Sequence, residues 1–342
     1  MKYWLIPITL FAASLGHAAQ PEADDINDPD LFNKDKTVVF SNLEFLYWIA
    51  NEPGLDYALK MEHPAWSATN VFANGDFHRA TYDWRPGFRI NIGWYHAPHF
   101  WDIVAQYTFL RDHGRTDVHH PDEASLFLNG TWPHPDPSSA TTVALDHAHS
   151  DVHFHYNVGD VLCSRRFHPN PHFRMRLIGG GTVAWLRQNW EIHYTDLNND
   201  TSHIRNEWRF TGAGLRLGLA LDWYLDFCDF YLTGQATTAV LGGRYHNVSK
   251  QTISTADTPI RNAHYVDSRL TWQGQFLAGP SWQKKFKHVR TELFLGYEFS
   301  AWTNLQEVFR STSGTAEGPK ETWVNNGVLG IQGLTFRWNL DY

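Results

Sequence analysis

Leu334-Thr335-Phe336-Arg337-Trp338-Asn339-Leu340-Asp341-Tyr342 closes the chain, and every even position in it is apolar or aromatic while every odd one is polar. Successive side chains of an extended strand point to opposite faces, so one face of this strand is greasy and the other wet. Two architectures produce such a strand. A soluble β-sandwich turns the apolar face to a core, and a membrane barrel turns it to lipid. The choice depends on whether the chain is exported and on how the other strands are patterned.

Export is legible at the opposite end. Lys2, an apolar run from Tyr3 to about Leu15, and Gly16-His17-Ala18 have the form of a secretory signal peptide spanning residues 1–18. That run is too short to span a bilayer as a helix, and no later stretch reaches about 18 apolar residues. If the exported chain enters a membrane, it must do so as a closed barrel, because only helices and barrels satisfy every backbone group in lipid. The acidic, Pro-containing residues 19–36 read as a flexible periplasmic leader, leaving residues 37–342 for an all-β domain. Within 342 residues there are 16 Trp, 14 Tyr and 22 Phe, an aromatic load that suits strands and membrane interfaces. A net charge of −8 leaves no basic footprint for nucleic acid.

Working back from the closing strand, the same alternation recurs. Val39 to Ile49 forms a first strand, followed by Asn51-Glu52-Pro53-Gly54, which is either a hairpin turn or a break in a longer strand. That choice separates about ten strands from about twelve. Trp84 to Trp94, Trp101 to Phe109, Val152 to Val158, Phe173 to Trp185, Leu215 to Trp223, Phe230 to Val240, Val266 to Phe276 and Leu293 to Phe299 continue the series. From residue 80 onward the connections alternate short and long. The long ones are Asp112–Asp146, Asp196–Arg205, Gly242–Asn262 and Thr303–Lys320. Tight turns at one end and long loops at the other characterise transmembrane antiparallel up-and-down β-barrels. Trp94, Trp101, Trp185, Trp223, Trp302 and Trp338 fall at strand ends, where aromatic girdles belong. With apolar faces outward, the lumen receives Arg85, Arg89, Asp102, Arg174, Arg176, Arg216, Asp267, Arg269, Arg290, Glu292, Glu298 and Arg337.

Three further patterns are candidate sites. His147, His149, His153 and His155 share one parity with Asp151, which this scheme also assigns to the lumen; imidazoles two residues apart lie roughly 6 to 7 Å apart, within reach of one transition metal. Asp196, Asn198, Asp200 and Glu207 match calcium-loop positions, but Thr201 stands where that loop requires glycine, so coincidence is the better account. Cys163 and Cys228 form an even pair in an oxidising compartment and are disulfide candidates. No nucleophile elbow, phosphate loop or zinc-protease signature is present, and the sequence indicates neither catalytic residues nor a cofactor.

Leu46-Tyr47-Trp48, Gly54-Leu55-Asp56-Tyr57-Ala58, Trp84 with Gly87-Phe88-Arg89 and Gly93, and Trp101-Asp102 with Tyr107-Thr108 resemble the pore-forming outer-membrane proteins typified by the Legionella major outer membrane protein. That resemblance implies a porin-like barrel in the bacterial outer membrane, passing small hydrophilic solutes without catalysis. It also implies outer-membrane lipid as surroundings and assembly through the C-terminal strand by the barrel-assembly machinery. Such proteins can be disulfide cross-linked, for which only Cys163 and Cys228 are available, and a homo-oligomer is compatible with the pattern. Ten strands enclose little space, so a plugged barrel serving as an adhesin or receptor through its long loops stays open beside the diffusion pore.

Overall fold

The computed structural model describes residues 37–62, 75–96, 101–136, 143–170, 172–225, 229–257, 259–285, 290–312 and 320–341. Residues 1–36, where the sequence places a signal peptide and leader, lie outside the described residues, as do Cys228 and Tyr342. The strands are β1 (Thr37–Asn51), β2 (Asp56–Met61), β3 (Gly75–Arg79), β4 (Arg85–His96), β5 (Trp101–His119), β6 (Phe127–Gly130), β7 (Leu145–Asn170), β8 (Phe173–Asp196), β9 (Thr201–Tyr224), β10 (Phe230–Ile253), β11 (Arg261–Lys285), β12 (Arg290–Thr312) and β13 (Lys320–Asp341).

Ten of them close into one antiparallel ring, in the order β1, β4, β5, β7, β8, β9, β10, β11, β12, β13 and back to β1. The closing strand pairs on both sides, Leu43 with Trp338 and Leu293 with Trp338, so the ring has no free edge there. Ten rather than twelve follows from residues 52–54. Gly54 takes φ of +88°, a left-handed conformation that glycine adopts without strain, and the chain turns out of the wall. Among the described residues β2 then pairs with β3 and β6, and β6 pairs with the wall where Leu128 faces Leu145. These three short strands fold into the mouth at the end away from the short turns.

The lipid-facing band is read from exposed apolar side chains: Leu43, Phe45 and Tyr47 on β1, Ile90 and Ile92 on β4, Leu215 and Leu217 on β9, Phe276 on β11, Leu334 and Phe336 on β13. Trp94, Trp101, Trp185, Trp223 and Trp338 are exposed on this outer face, as the girdle reading expects. Trp302 is a correction: it is 0% exposed and points inward.

The strands are much longer than the bilayer needs. β7 has 26 residues and β8, β9 and β10 have 24 each, whereas about 9 to 11 tilted residues cross the hydrocarbon. Their outer halves form a collar standing clear of the membrane. Parts of the segments expected to be loops are therefore strand: β5 runs to His119, β9 starts at Thr201, β10 runs to Ile253 and β12 to Thr312.

At the top of the lipid band the polarity of the two faces reverses. On β8 the outward residues Leu177, Val183 and Trp185 give way to Arg187, Asn189, Glu191 and His193. The inward residues change from Arg174, Arg176 and Thr182 to Leu186, Trp190, Ile192 and Tyr194. β7 and β9 reverse in the same way. Water surrounds the collar, so its greasy face must turn inward, while the lower half is greasy outward against lipid.

Candidate functional site

The lumen consequently has two storeys. In the half nearest the short turns, a cavity of about 120 Å³ is lined by seven arginines (89, 166, 174, 176, 216, 290 and 337) and by Glu44, Asp102, Asp222 and Glu292, with neutral polar groups such as Gln106, Gln235 and Gln275 between them. The arginines are held by carboxylates on other strands of the ring. Arg89 lies between Glu44 at 2.6 Å and Glu298 at 2.7 Å, and donates to Thr108 as well. Arg337 reaches Glu44 at 2.7 Å. Arg174 pairs with Asp222 at 2.7 Å, and Arg216 with Asp160 at 3.0 Å and with the side chains of Gln273 and Gln275. Asp102 accepts from Ser164 at 2.6 Å and faces Arg166 at 3.5 Å. Such pairs do not by themselves add much stability, since desolvation offsets attraction, but each fixes the height and direction of a charge.

Of the predicted lumen residues, Arg89, Asp102, Arg174, Arg176, Arg216, Arg290, Glu292, Glu298 and Arg337 are inside the ring. Three do not line this cavity. Arg85 sits at the outer end of β4, part exposed and paired with Asp83 at 2.8 Å. Asp267 is 50% exposed on the collar. Arg269 stacks over the Tyr245 ring at 3.8 Å and bonds Glu307 among the collar side chains, above the cavity. Residues with large roles that are absent from the predicted lumen set are Glu44, Asp160, Arg166 and Asp222. Glu44 shares parity with Asn42 on β1 and could have been taken from the alternation. Asp160 and Arg166 could not, because the upper half of β7 had set the wrong face as outward.

Directly above the polar cavity the ring is filled. Tyr156 meets Trp302 edge to face at 6.0 Å between ring centres, Phe154 lies 6.2 Å from Trp208, and Trp208 stacks on Tyr245 at 6.0 Å. Trp48, Leu46, Leu110 and Trp190 complete this apolar layer with exposures of 0 to 2%. The β1–β4 connection supplies its central part: Leu55, Tyr57, Ala58 and Tyr82 are all buried against the wall. Its ties are few. Tyr82 donates to Glu52 at 3.1 Å, Gln188 of the wall donates to both Glu52 and Tyr82, Tyr194 donates to the Tyr57 carbonyl, and Gln306 donates to that of Pro53. Burial of the Glu52 carboxyl pushes its pKa up to about 8, outweighing the hydrogen bonds that favour its charged form, and burial likewise raises the Tyr82 phenol well above its usual value.

The histidine stripe requires a second correction. Ala148, Ser150, Val152, Phe154 and Tyr156 are the buried residues along this stretch of β7, so His147, His149, His153 and His155 point out of the barrel rather than into it. Asp117 accepts from His149 at 2.8 Å and from His147 at 3.2 Å, and His153 lies 3.2 Å from Asp151. The calcium-like residues also have a local account: Asp196 Oδ1 accepts from the backbone N–H groups of Asn198 and Asp200, forming the β8–β9 turn, and Glu207 lies up the β9 strand beside Arg205 and Arg209. Cys163 is half-buried on the outer face of β7.

A family model described as the Legionella pneumophila major outer membrane protein precursor matches residues 41–341. No curated protein matches the chain by sequence. Among solved structures, the outer membrane protease OmpT from Escherichia coli is similar at 11% identity, with a TM-score of 0.42, over 89% of this chain and 96% of that one. A Pseudomonas aeruginosa FadL homologue is similar at 9% identity, with a TM-score of 0.24, over 90% of each chain.

Proposed function

The chain belongs to the family of the Legionella major outer membrane protein and is a β-barrel of the bacterial outer membrane, and on that premise we propose that it is a porin-like conduit held closed in this conformation by its outer plug. The observation that carries this reading is the abrupt ceiling of the charged cavity. A chamber lined with fixed charges ends at an apolar layer whose centre comes from a connecting segment rather than from the wall. Small hydrophilic solutes enter from the short-turn side, where lumen groups replace part of their hydration, and pass only when residues 52–61 and 80–82 move aside. No bond is made or broken in this process, so the reading needs no catalytic group. Seven arginines against four lining carboxylates, with Asp160 and Glu298 bonded to arginines from behind, make the chamber mildly favourable to anions.

A second reading is favoured by the collar: a permanently plugged barrel whose rigid outer strands present a binding surface. Liposome swelling with small neutral and anionic solutes separates the two. Permeation that increases when the β1–β4 connection is shortened supports the conduit, and an impermeable but folded shortened barrel supports the plugged scaffold. In either case we take the closing strand, ending at Tyr342, to be the segment engaged by the barrel-assembly machinery. Deleting Tyr342 is expected to reduce insertion, and unchanged insertion refutes this role.

A further inference from the structure

On the outer face of the collar, Glu191 and His193 of β8 and His203 of β9 bring their ligand atoms within 4.8 Å of one another. His193 and His203 are direct cross-strand partners whose rings lie parallel, 4.3 Å apart at 11°. Glu191 is two residues along the same face and approaches the His203 Nε2 at 3.7 Å, while Asn189 donates to its other oxygen at 2.9 Å. The strands beneath are fully hydrogen-bonded neighbours, so the three groups are held on a stiff backbone and reach a common point by side-chain rotation alone. We propose that Glu191, His193 and His203 form a surface site for a divalent transition ion, with zinc as the best fit.

The donor set supports this choice. Two imidazoles and one carboxylate are borderline ligands that suit zinc, copper or nickel and disfavour calcium and magnesium, which take oxygen. Zinc binds such donors at roughly 2.0 to 2.2 Å, so the ligand atoms need to close by little more than 1 Å from their present spacing. Three protein ligands leave a coordination position open to water or to a group from a partner. A second observation points the same way. One strand over, Asp117 accepts from both His147 and His149, and the His149 ring stacks 6.0 Å from His193. The face therefore carries two adjoining sets of two histidines and one carboxylate, with His149 placed to serve as an alternative ligand. Arg205, 3.9 Å from Glu191, is the competitor that the ion must displace.

This inference is independent of whether the barrel conducts. The test uses the full mature chain refolded in detergent without a polyhistidine tag, titrated with zinc by calorimetry and with cobalt by visible absorption. Wild type is expected to bind zinc saturably, and bound cobalt to show the d–d bands of histidine coordination. His203→Ala and Glu191→Gln should each weaken zinc binding by more than about tenfold, since even outer-shell partners of a metal matter on that scale. His153→Ala should leave binding unchanged. Absence of saturable binding in wild type, or undiminished binding in both site variants with circular dichroism intact, overturns the proposal. Loss in Asp117→Asn alone, with His203→Ala unaffected, also overturns it by assigning the ion to the neighbouring cluster.

Discussion

Glu52 and Tyr82, thirty residues apart in the chain, meet at 3.1 Å inside the barrel mouth, and Gln188 of β8 donates to both. This contact joins the two ends of the plug segment to each other and to the wall. It also takes a carboxyl of the plug wholly out of water, which gives the closure a pH dependence.

Glu52 has a pKa of about 8 in the fold against an ordinary value near 4.5. A raised value means that the folded state holds the proton more tightly, so the stabilisation is complete below about 4.5 and is lost as pH rises toward about 8. Plug retention should weaken over that window by an amount on the order of a few kcal/mol, at about 1.4 kcal/mol for each pH unit of displacement. Glu52→Gln keeps a hydrogen-bonding side chain but cannot ionise, and thermal unfolding of the solubilised barrel should then vary less with pH than in wild type. An unchanged pH slope in that variant contradicts the assignment.

Trp302 fixes the position of the ceiling. Because it is fully buried against Tyr156, Trp302→Ala should cost about 3 to 5 kcal/mol, the range for truncating a packed large aromatic. Truncation of the lipid-facing Trp338 leaves no comparable cavity and should cost less. Chemical-denaturant unfolding of the two variants in the same detergent measures the difference, and equal costs argue that Trp302 is not part of a ceiling.

Arg89 separates two carboxylates. Arg89→Leu leaves Glu44 and Glu298 facing one another without the cation between them, and removal of one member of a buried ion cluster costs about 3 to 5 kcal/mol. Arg89→Lys retains the charge but cannot span both carboxylates with a planar fork, so an intermediate loss is expected. Denaturation midpoints that rank leucine below lysine below wild type agree with the network, and identical midpoints do not.

Charge selectivity follows from the cavity lining. Once the plug is shortened, the reversal potential in a salt gradient should indicate anion preference, and Arg176→Gln should move it toward cations. A cation-selective opened barrel contradicts the lining as the selective element.

The lower storey was readable because lipid demands one arrangement: apolar out, polar in, with strand period two. Leu334, Phe336 and Trp338 against Thr335, Arg337 and Asn339 obey it, and so does the ring placement of Arg89 and Arg216. The collar was misread for a physical reason. Above the bilayer the solvent outside becomes water, so the alternation persists while its meaning inverts, and parity alone places His147 to His155 inward together with the arginines. The one visible sign of the change is that polar and aromatic residues exchange parity along a single long strand, as between Trp185 and Trp190 on β8. The plug was hidden for a different reason. Leu55, Tyr57 and Leu59 alternate like wall residues, and nothing local distinguishes a strand that closes a ring from one that fills it.

Trp48 is the register partner of Arg85, so β1 and β4 are already adjacent and a short turn can replace residues 52–81 without disturbing the wall. Single-channel recording of that shortened barrel beside wild type in a planar bilayer tests the central claim most directly. Wild type is predicted to be closed for most of the recording, and the shortened barrel to conduct steadily with anion preference. Equal conductance in the two, or a folded shortened barrel that passes no current, would contradict the account.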